Sequence, residues 1–279
     1  MKRFLIIGYG KVGSHLHNAL RNRYKQIKVE IVKDSGSNIN KNILENSNII
    51  FICTQDDKIK RSVKKILLLK VNLKGKIFAH TSGALSSDEL HALKAKGAAI
   101  ASFHPVQTFE LKAKRNDHRF KNIYIAIEGD TSAKKTLSGI SRKINSVPFF
   151  INKNFKTLHH ICCVISSNYL ITNLSFIRDI YIRKNGFKNL NFFNIYIPLI
   201  YQTLSNIKVK GIEGSLTGPI ARNDLKTLEK HISELKKLYP EINDYYKFIG
   251  IKTVNIAHRK GSLNFKQAAR LQKKLKSKN

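Results

Sequence analysis

The 279-residue sequence predicts an α/β fold: a doubly wound, mainly parallel sheet followed by an all-α C-terminal domain. Two observations predict it. Short apolar runs alternate with helical stripes as far as Ile151, the pattern of strand–helix–strand units. After Ile151 the strand signal stops and long helical segments take over. The domains are accordingly placed at 1–152 and 153–279.

The elements follow in order. Phe4 to Ile7 reads as a buried strand, and Val12, Leu16, Ala19 and Leu20 then recur at helical spacing. Ile27, Val29 and Ile31 alternate with charged residues as a second strand, and Ile49 to Cys53 forms a third. Ile59, Val63, Ile66 and Leu67 mark the next helix, with Asp57 favoured as its cap. Lys76 to Ala79, Ala98 to Phe103, Asn122 to Ile127 and Val147 to Ile151 complete the strands. Ser86 and Glu89 have capping-box spacing, and a helix is expected over 132–144. Helices are expected near 155–183, 188–207, 222–238, 241–258 and 264–276.

Composition narrows the class. A hydrophobic share of 42% suits a globular protein rather than a disordered one. No uninterrupted apolar run approaches the roughly 18 residues that span a bilayer, so no membrane segment is expected. The three cysteines, Cys53, Cys162 and Cys163, show no C-x-x-C or Cys/His ligand spacing. That pattern leads to no metal, no disulfide and a cytoplasmic location. Cys162 and Cys163 read as small core residues. The formal charge of +33 would attract anions, but the lysines are scattered and no nucleic-acid module accompanies them, which makes nucleic acid the weakest partner.

Gly8-Tyr9-Gly10-Lys11-Val12-Gly13 fits G-x-G-x-x-G between the first strand and first helix, the context a dinucleotide-binding turn requires. Gly8 permits the turn, Gly10 the approach of a pyrophosphate, and Gly13 close helix–strand packing. After the second strand, Lys33 and Ser35 can hold a 2′-phosphate, whereas Asp34 can serve a ribose; NADP is favoured over NAD. Thr54, after the third strand, is a cofactor-contact candidate. His80 and Ser82 follow the fourth strand and His104 and Gln107 the fifth, which puts two histidines at one sheet edge. His160, Val164 and Asn168 share a helix face. The segment from Gly214 to Asp224 is a loop opening a helix. In it Asn223 and Asp224 are candidate caps, and Arg222 can grip a carboxylate or pair with Asp224.

Over nearly its whole length the chain resembles an uncharacterised family of Rossmann-like oxidoreductases related to ketopantoate reductase, pyrroline-5-carboxylate reductase and 6-phosphogluconate dehydrogenase. The segments that carry the resemblance are GYGKVG, HTSGALSSDEL, HPVQTF, HHICCVISSN and GSLTGPIARNDLKTLEKH. It implies an NADP-binding domain, a helical domain and a homodimer. It also implies site roles for Gly8, Gly10, Gly13, His80, Ser82, His104, Gln107, His160, Asn168, Thr217, Arg222 and Asp224, with His80 and Ser82 expected at the cofactor. The family commonly has glycine at Asn223, whose side chain tolerates positive φ. Better-known relatives use a Lys and Asn pair on the helix, where His160 stands in this chain.

The resulting expectation is hydride transfer between NADP(H) and a small carbonyl, imine or hydroxy acid. His160 or His104 would donate the proton, Asn168 would orient the substrate, and Gln107, Thr217 and Arg222 would bind it. A non-catalytic NADP(H) sensor and a basic anion- or nucleic-acid-binding protein are the alternatives.

Overall fold

The computed structural model describes residues 3–33, 39–114, 117–185 and 192–277. Its chain forms two compact units, Met1–Leu170 and Ile171–Asn279.

The first unit is built on a seven-stranded sheet of order β2-β1-β3-β4-β5-β6-β7. The strands are β1 Phe4–Ile7, β2 Val29–Val32, β3 Ile49–Ile52, β4 Ile77–His80, β5 Ala99–Pro105, β6 Tyr124–Gly129 and β7 Val147–Phe150. All neighbours are parallel except β5 and β6. Helices α1 Lys11–Arg23, α2 Lys41–Glu45, α3 Ile59–Leu68, α4 His91–Lys94 and α5 Thr131–Lys143 connect them. The sheet is covered on both sides, so its central strands β1 and β3 are apolar and buried throughout. Alternate residues feed two cores: Phe4, Ile6 and Phe51 pack with Leu16 and Leu137, whereas Leu5, Ile7 and Ile52 pack with Ile59 and Val63.

Because β1 lies between β2 and β3, the strand order reverses there. In open α/β sheets ligands bind at this switch point, outside the carboxyl ends of the strands.

Two local expectations are corrected. Asp57 does not cap α3: it sits inside a 3₁₀ turn, Asp56–Lys58, and α3 has no side-chain cap. The Ser86–Glu89 pair does not form a capping box, because Ser86 accepts from the Asp88 amide and begins a 3₁₀ turn, Ser87–Leu90. The buried Glu128 carboxylate takes the Ser87 amide and hydroxyl instead, at 2.8 and 2.7 Å.

After β7 the chain is helical: α6 Lys156–Asn185, α7 Phe192–Ser215, α8 Leu225–Leu238, α9 Pro240–Arg259 and α10 Phe265–Lys276. The strands stop where the sequence places the domain change, and the compact units divide further along, inside α6. In the second unit α8, α9 and α10 close over Leu228, Ile232, Val254, Leu271 and Leu275. Asn264 and Gln267 form a reciprocal capping box at the start of α10.

One segment nevertheless reaches membrane length by average composition. The span Lys153–Ile182 holds an 18-residue window of mean hydropathy 1.3, none of it buried, and so is long and apolar enough to cross a membrane by length and composition. Serines, threonines and histidines interrupt the run, so counting continuous apolar residues misses it.

Candidate active site

The site begins at the carboxyl end of β1. Gly8 has φ +97°, and a Cβ there would lie 2.8 Å from the Cys53 carbonyl and the Thr54 amide nitrogen. At Gly13 a Cβ would lie 2.0 Å from the Gly8 carbonyl oxygen, so only glycine lets α1 sit this close to β1. At Gly10 a Cβ would meet nothing within 4 Å among the described residues. Gly10 is the N-cap of α1, whose first turn carries no acidic side chain. The N–H groups of Lys11, Val12 and Gly13 therefore form an uncapped, partially positive helix start, suited to a phosphate.

The neighbouring strands complete this end. The Tyr9 amide donates to the Lys33 carbonyl at 3.1 Å, which sets the exposed Lys33 beside the glycine turn. Ser35 and Asp34 lie outside the described residues. The Thr54 hydroxyl oxygen is buried without a hydrogen-bond partner among the described residues. A buried hydroxyl left unpaired is costly, so one beside a glycine turn fits a site built to bind something polar. The turn, the helix start and the Thr54 hydroxyl together fit a dinucleotide.

His80, expected to touch the cofactor, is fully buried and otherwise engaged. Its Nε2 lies 2.9 Å from the Ser86 carbonyl, and its Nδ1 accepts from the Ser82 amide at 3.2 Å. Both ring nitrogens thus hold the 80–86 loop, and burial lowers the pKa to about 4. Ser82 is likewise a structural hub: its hydroxyl donates to Asp56 at 2.8 Å and accepts from the Leu85 amide.

Sequence reasoning missed Lys156, the most informative group at this edge. Its side chain is 1% exposed, and its ammonium donates to the Ser82 carbonyl at 2.9 Å and the Ser102 hydroxyl at 2.6 Å. Burial pulls its pKa down to about 8, against the opposing pull of Glu128 and Asp56. A signal was present: Lys156, His160, Val164 and Asn168 recur every four residues, so the shared face begins one turn earlier.

Further out, His104 and Gln107 at the end of β5 meet His159, His160, Cys163 and Asn168 of α6 around a cavity of about 460 Å³. His104 and His160 rings lie 6.1 Å apart, and His104 and His159 rings 5.5 Å. Gly83 is the spacer: a Cβ there would lie 2.6 Å from His160 Nδ1 and 2.7 Å from His104 Nε2. Burial first, then Lys156 and the neighbouring histidines, push the His104 pKa down to about 3. A His104 with that pKa is neutral near pH 7. Cys162 is exposed and Cys163 half-buried, and both line the cavity, so neither is the core residue expected. The packed cysteine is Cys53, under the glycine turn.

Thr217 and Arg222 belong to the second unit. Asn223 adopts φ 56°, the positive-φ turn expected of it. Asp224 caps α8, accepting from the Thr227 amide at 3.0 Å and hydroxyl at 2.7 Å.

The sheet order and glycine turn define a Rossmann-like α/β fold, and comparison with known proteins agrees. Residues 123–253 match the model of a domain family, a domain of unknown function (DUF2520). No curated protein matches by sequence. Among solved structures, a Thermotoga maritima protein superposes with a TM-score of 0.71 at 22% identity, covering 92% of this chain and 99% of that one. A proposed NADP oxidoreductase from Bacteroides fragilis gives 0.67 at 18% identity, with 92% and 98% covered. Pyrroline carboxylate reductase from Plasmodium falciparum, with NADP bound, gives 0.57 at 12% identity, with 99% and 100% covered. At these identities the shared property is the fold.

Proposed function

We propose that this chain is a nicotinamide-dependent oxidoreductase that reduces a small carbonyl or imine, or runs the reverse oxidation of a hydroxy acid, with NADP(H) preferred. One observation carries the reading. The switch point of the sheet presents a sterically enforced glycine turn, an uncapped helix start and an unpaired Thr54 hydroxyl at the edge that also holds the histidines. The first-turn amides of α1 would hold the pyrophosphate, Thr54 a polar group of the cofactor, and Lys33 with Ser35 the 2′-phosphate. The bound cofactor supplies or takes up hydride; the chain's own residues do the rest.

His160 is assigned as the proton donor to the substrate oxygen or nitrogen, because His104 is held neutral. Asn168 and Gln107, on the same cavity wall, orient the substrate. Lys156 is a positioning residue: a buried cation near the histidines favours developing negative charge and adds to burial in keeping His104 unprotonated. Thr217 and Arg222 are assigned to the substrate from their chemistry alone, Arg222 to a carboxylate. A ketopantoate-like acid is within this class.

The protein is further proposed to be a homodimer. Ile161, Ile165 and Ile171 on α6 and Leu199, Leu204 and Val209 on α7 are exposed, apolar surface of the kind a subunit contact covers. A cytoplasmic location is proposed from the cysteine pattern, three thiols that are all free.

The test is NADPH oxidation against a panel of small 2-oxo acids, ketones and cyclic imines. Turnover by the wild type, lost in a His160→Ala/Asn168→Ala double variant that still binds NADPH, supports the assignment. Full turnover in that variant refutes the site. NADPH binding with no turnover on any substrate favours the non-catalytic sensor.

A further inference from the structure

Three donors of metal-binding type converge on the cavity wall. His104 comes from the end of β5, and His159 and Cys163 lie one turn apart on α6, so both point from one helix face. Each offers one ligand atom, and these three atoms lie within 4.8 Å of one another. Cys163 Sγ is 3.9 Å from His159 Nε2. In a tetrahedral zinc site, Zn–N near 2.0 Å and Zn–S near 2.3 Å place neighbouring donors about 3.3–3.5 Å apart. The closure required is at most about 1.5 Å, within reach of side-chain rotation at a cavity surface.

The chemistry of the set is selective. Two imidazoles and a thiol, with no carboxylate, suit a borderline-soft cation and disfavour magnesium or calcium. His104 Nδ1 is buried without a partner among the described residues, a lone pair or N–H that nothing else there engages.

We propose that His104, His159 and Cys163 form a binding site for one divalent transition-metal ion of the zinc class, its fourth coordination position open to the cavity. On binding, the Cys163 thiol releases its proton to solvent and the thiolate becomes the third ligand. The site does not depend on the oxidoreductase reading, since it is defined by its ligand atoms alone. It also reverses the expectation from sequence, in which Cys/His spacing is sought along the chain and His104 lies 55 residues before His159.

The probe is Co²⁺, titrated into untagged, reduced full-length protein. One equivalent is expected to give a thiolate-to-cobalt charge-transfer band in the near ultraviolet and the strong visible bands of four-coordinate cobalt, both erased by one equivalent of Zn²⁺. Cys163→Ser is expected to abolish the charge-transfer band, and His159→Gln to weaken binding by more than about tenfold. Cys162→Ser, at the adjacent exposed thiol, should leave the spectrum intact. A second readout needs no variant: stoichiometric Zn²⁺ should slow alkylation of Cys163 but not Cys162 in the wild type, followed by mass spectrometry. No saturable band, a band that survives Cys163→Ser, or alkylation of Cys163 unchanged by Zn²⁺ overturns the proposal.

Discussion

Replacing Lys156 with methionine separates what this residue costs the fold from what it contributes to the site. The Lys156 ammonium is buried, and its pKa falls from 10.5 to about 8. The shift of about 2.5 units corresponds to about 3 kcal/mol. A lysine whose folded pKa is depressed disfavours folding while it is charged. The penalty is complete below pH 8, fades as pH rises from 8 to 10.5, and vanishes above that. Wild-type stability should therefore gain about 3 kcal/mol from this group across that window. Lys156→Met removes the titration, so the stability of the variant relative to the wild type should fall by the same amount over those pH values. Near pH 7 the variant escapes the penalty but leaves the Ser82 carbonyl and Ser102 hydroxyl without their donor, which costs about 1–3 kcal/mol. It should thus be as stable as the wild type or slightly more stable, while turnover falls. Urea unfolding of both proteins at half-unit steps from pH 7 to 10.5 measures this. Parallel stability curves for the two proteins would refute the buried-cation account.

Gly13→Ala forces a Cβ to within 2.0 Å of the Gly8 carbonyl oxygen, so α1 must move off β1. A loss of about 3 kcal/mol of stability is expected, at the top of the overpacking range, with NADPH affinity down by more than tenfold; unfolding and fluorescence titrations check both. Gly83→Ala drives the His104 and His160 rings apart; it should cut turnover by at least about tenfold while changing NADPH affinity little, as initial-rate kinetics will show. Asn223→Gly, at φ 56°, should change stability by less than about 1 kcal/mol, whereas Asn223→Val should cost about 1–3 kcal/mol in thermal unfolding. Lys33→Ala should weaken NADPH binding more than NADH binding; equal weakening would remove Lys33 from the 2′-phosphate.

Much of the fold was legible because its signals are local. The glycine turn, the apolar strands and the switch to helix after Ile151 each depend on residues close in sequence. Asn223 was read for the same reason, since positive φ is a property of one residue. What was not legible depended on the third dimension. His80 and His104 occupy equivalent strand ends, yet the 80–86 loop folds back over His80 and consumes both its nitrogens, whereas His104 faces the cavity. Lys156 looks like one more lysine among the 51 basic residues, and only its burial against Ser82 and Ser102 distinguishes it. Cys163 reads as core beside Ile161 and Ile165, but those residues are themselves exposed. Apolar residues of α6 that stay exposed break the rule that apolar residues mark the interior.

The carboxyl ends of β1 and β3 are proposed to bind a nicotinamide dinucleotide, and direct titration of the purified wild type with NADPH and NADH tests this. Saturable enhancement of nicotinamide fluorescence by one equivalent per chain is expected, with NADPH the tighter ligand and the enhancement lost in Gly13→Ala. Absence of binding by either cofactor at millimolar concentration would contradict it.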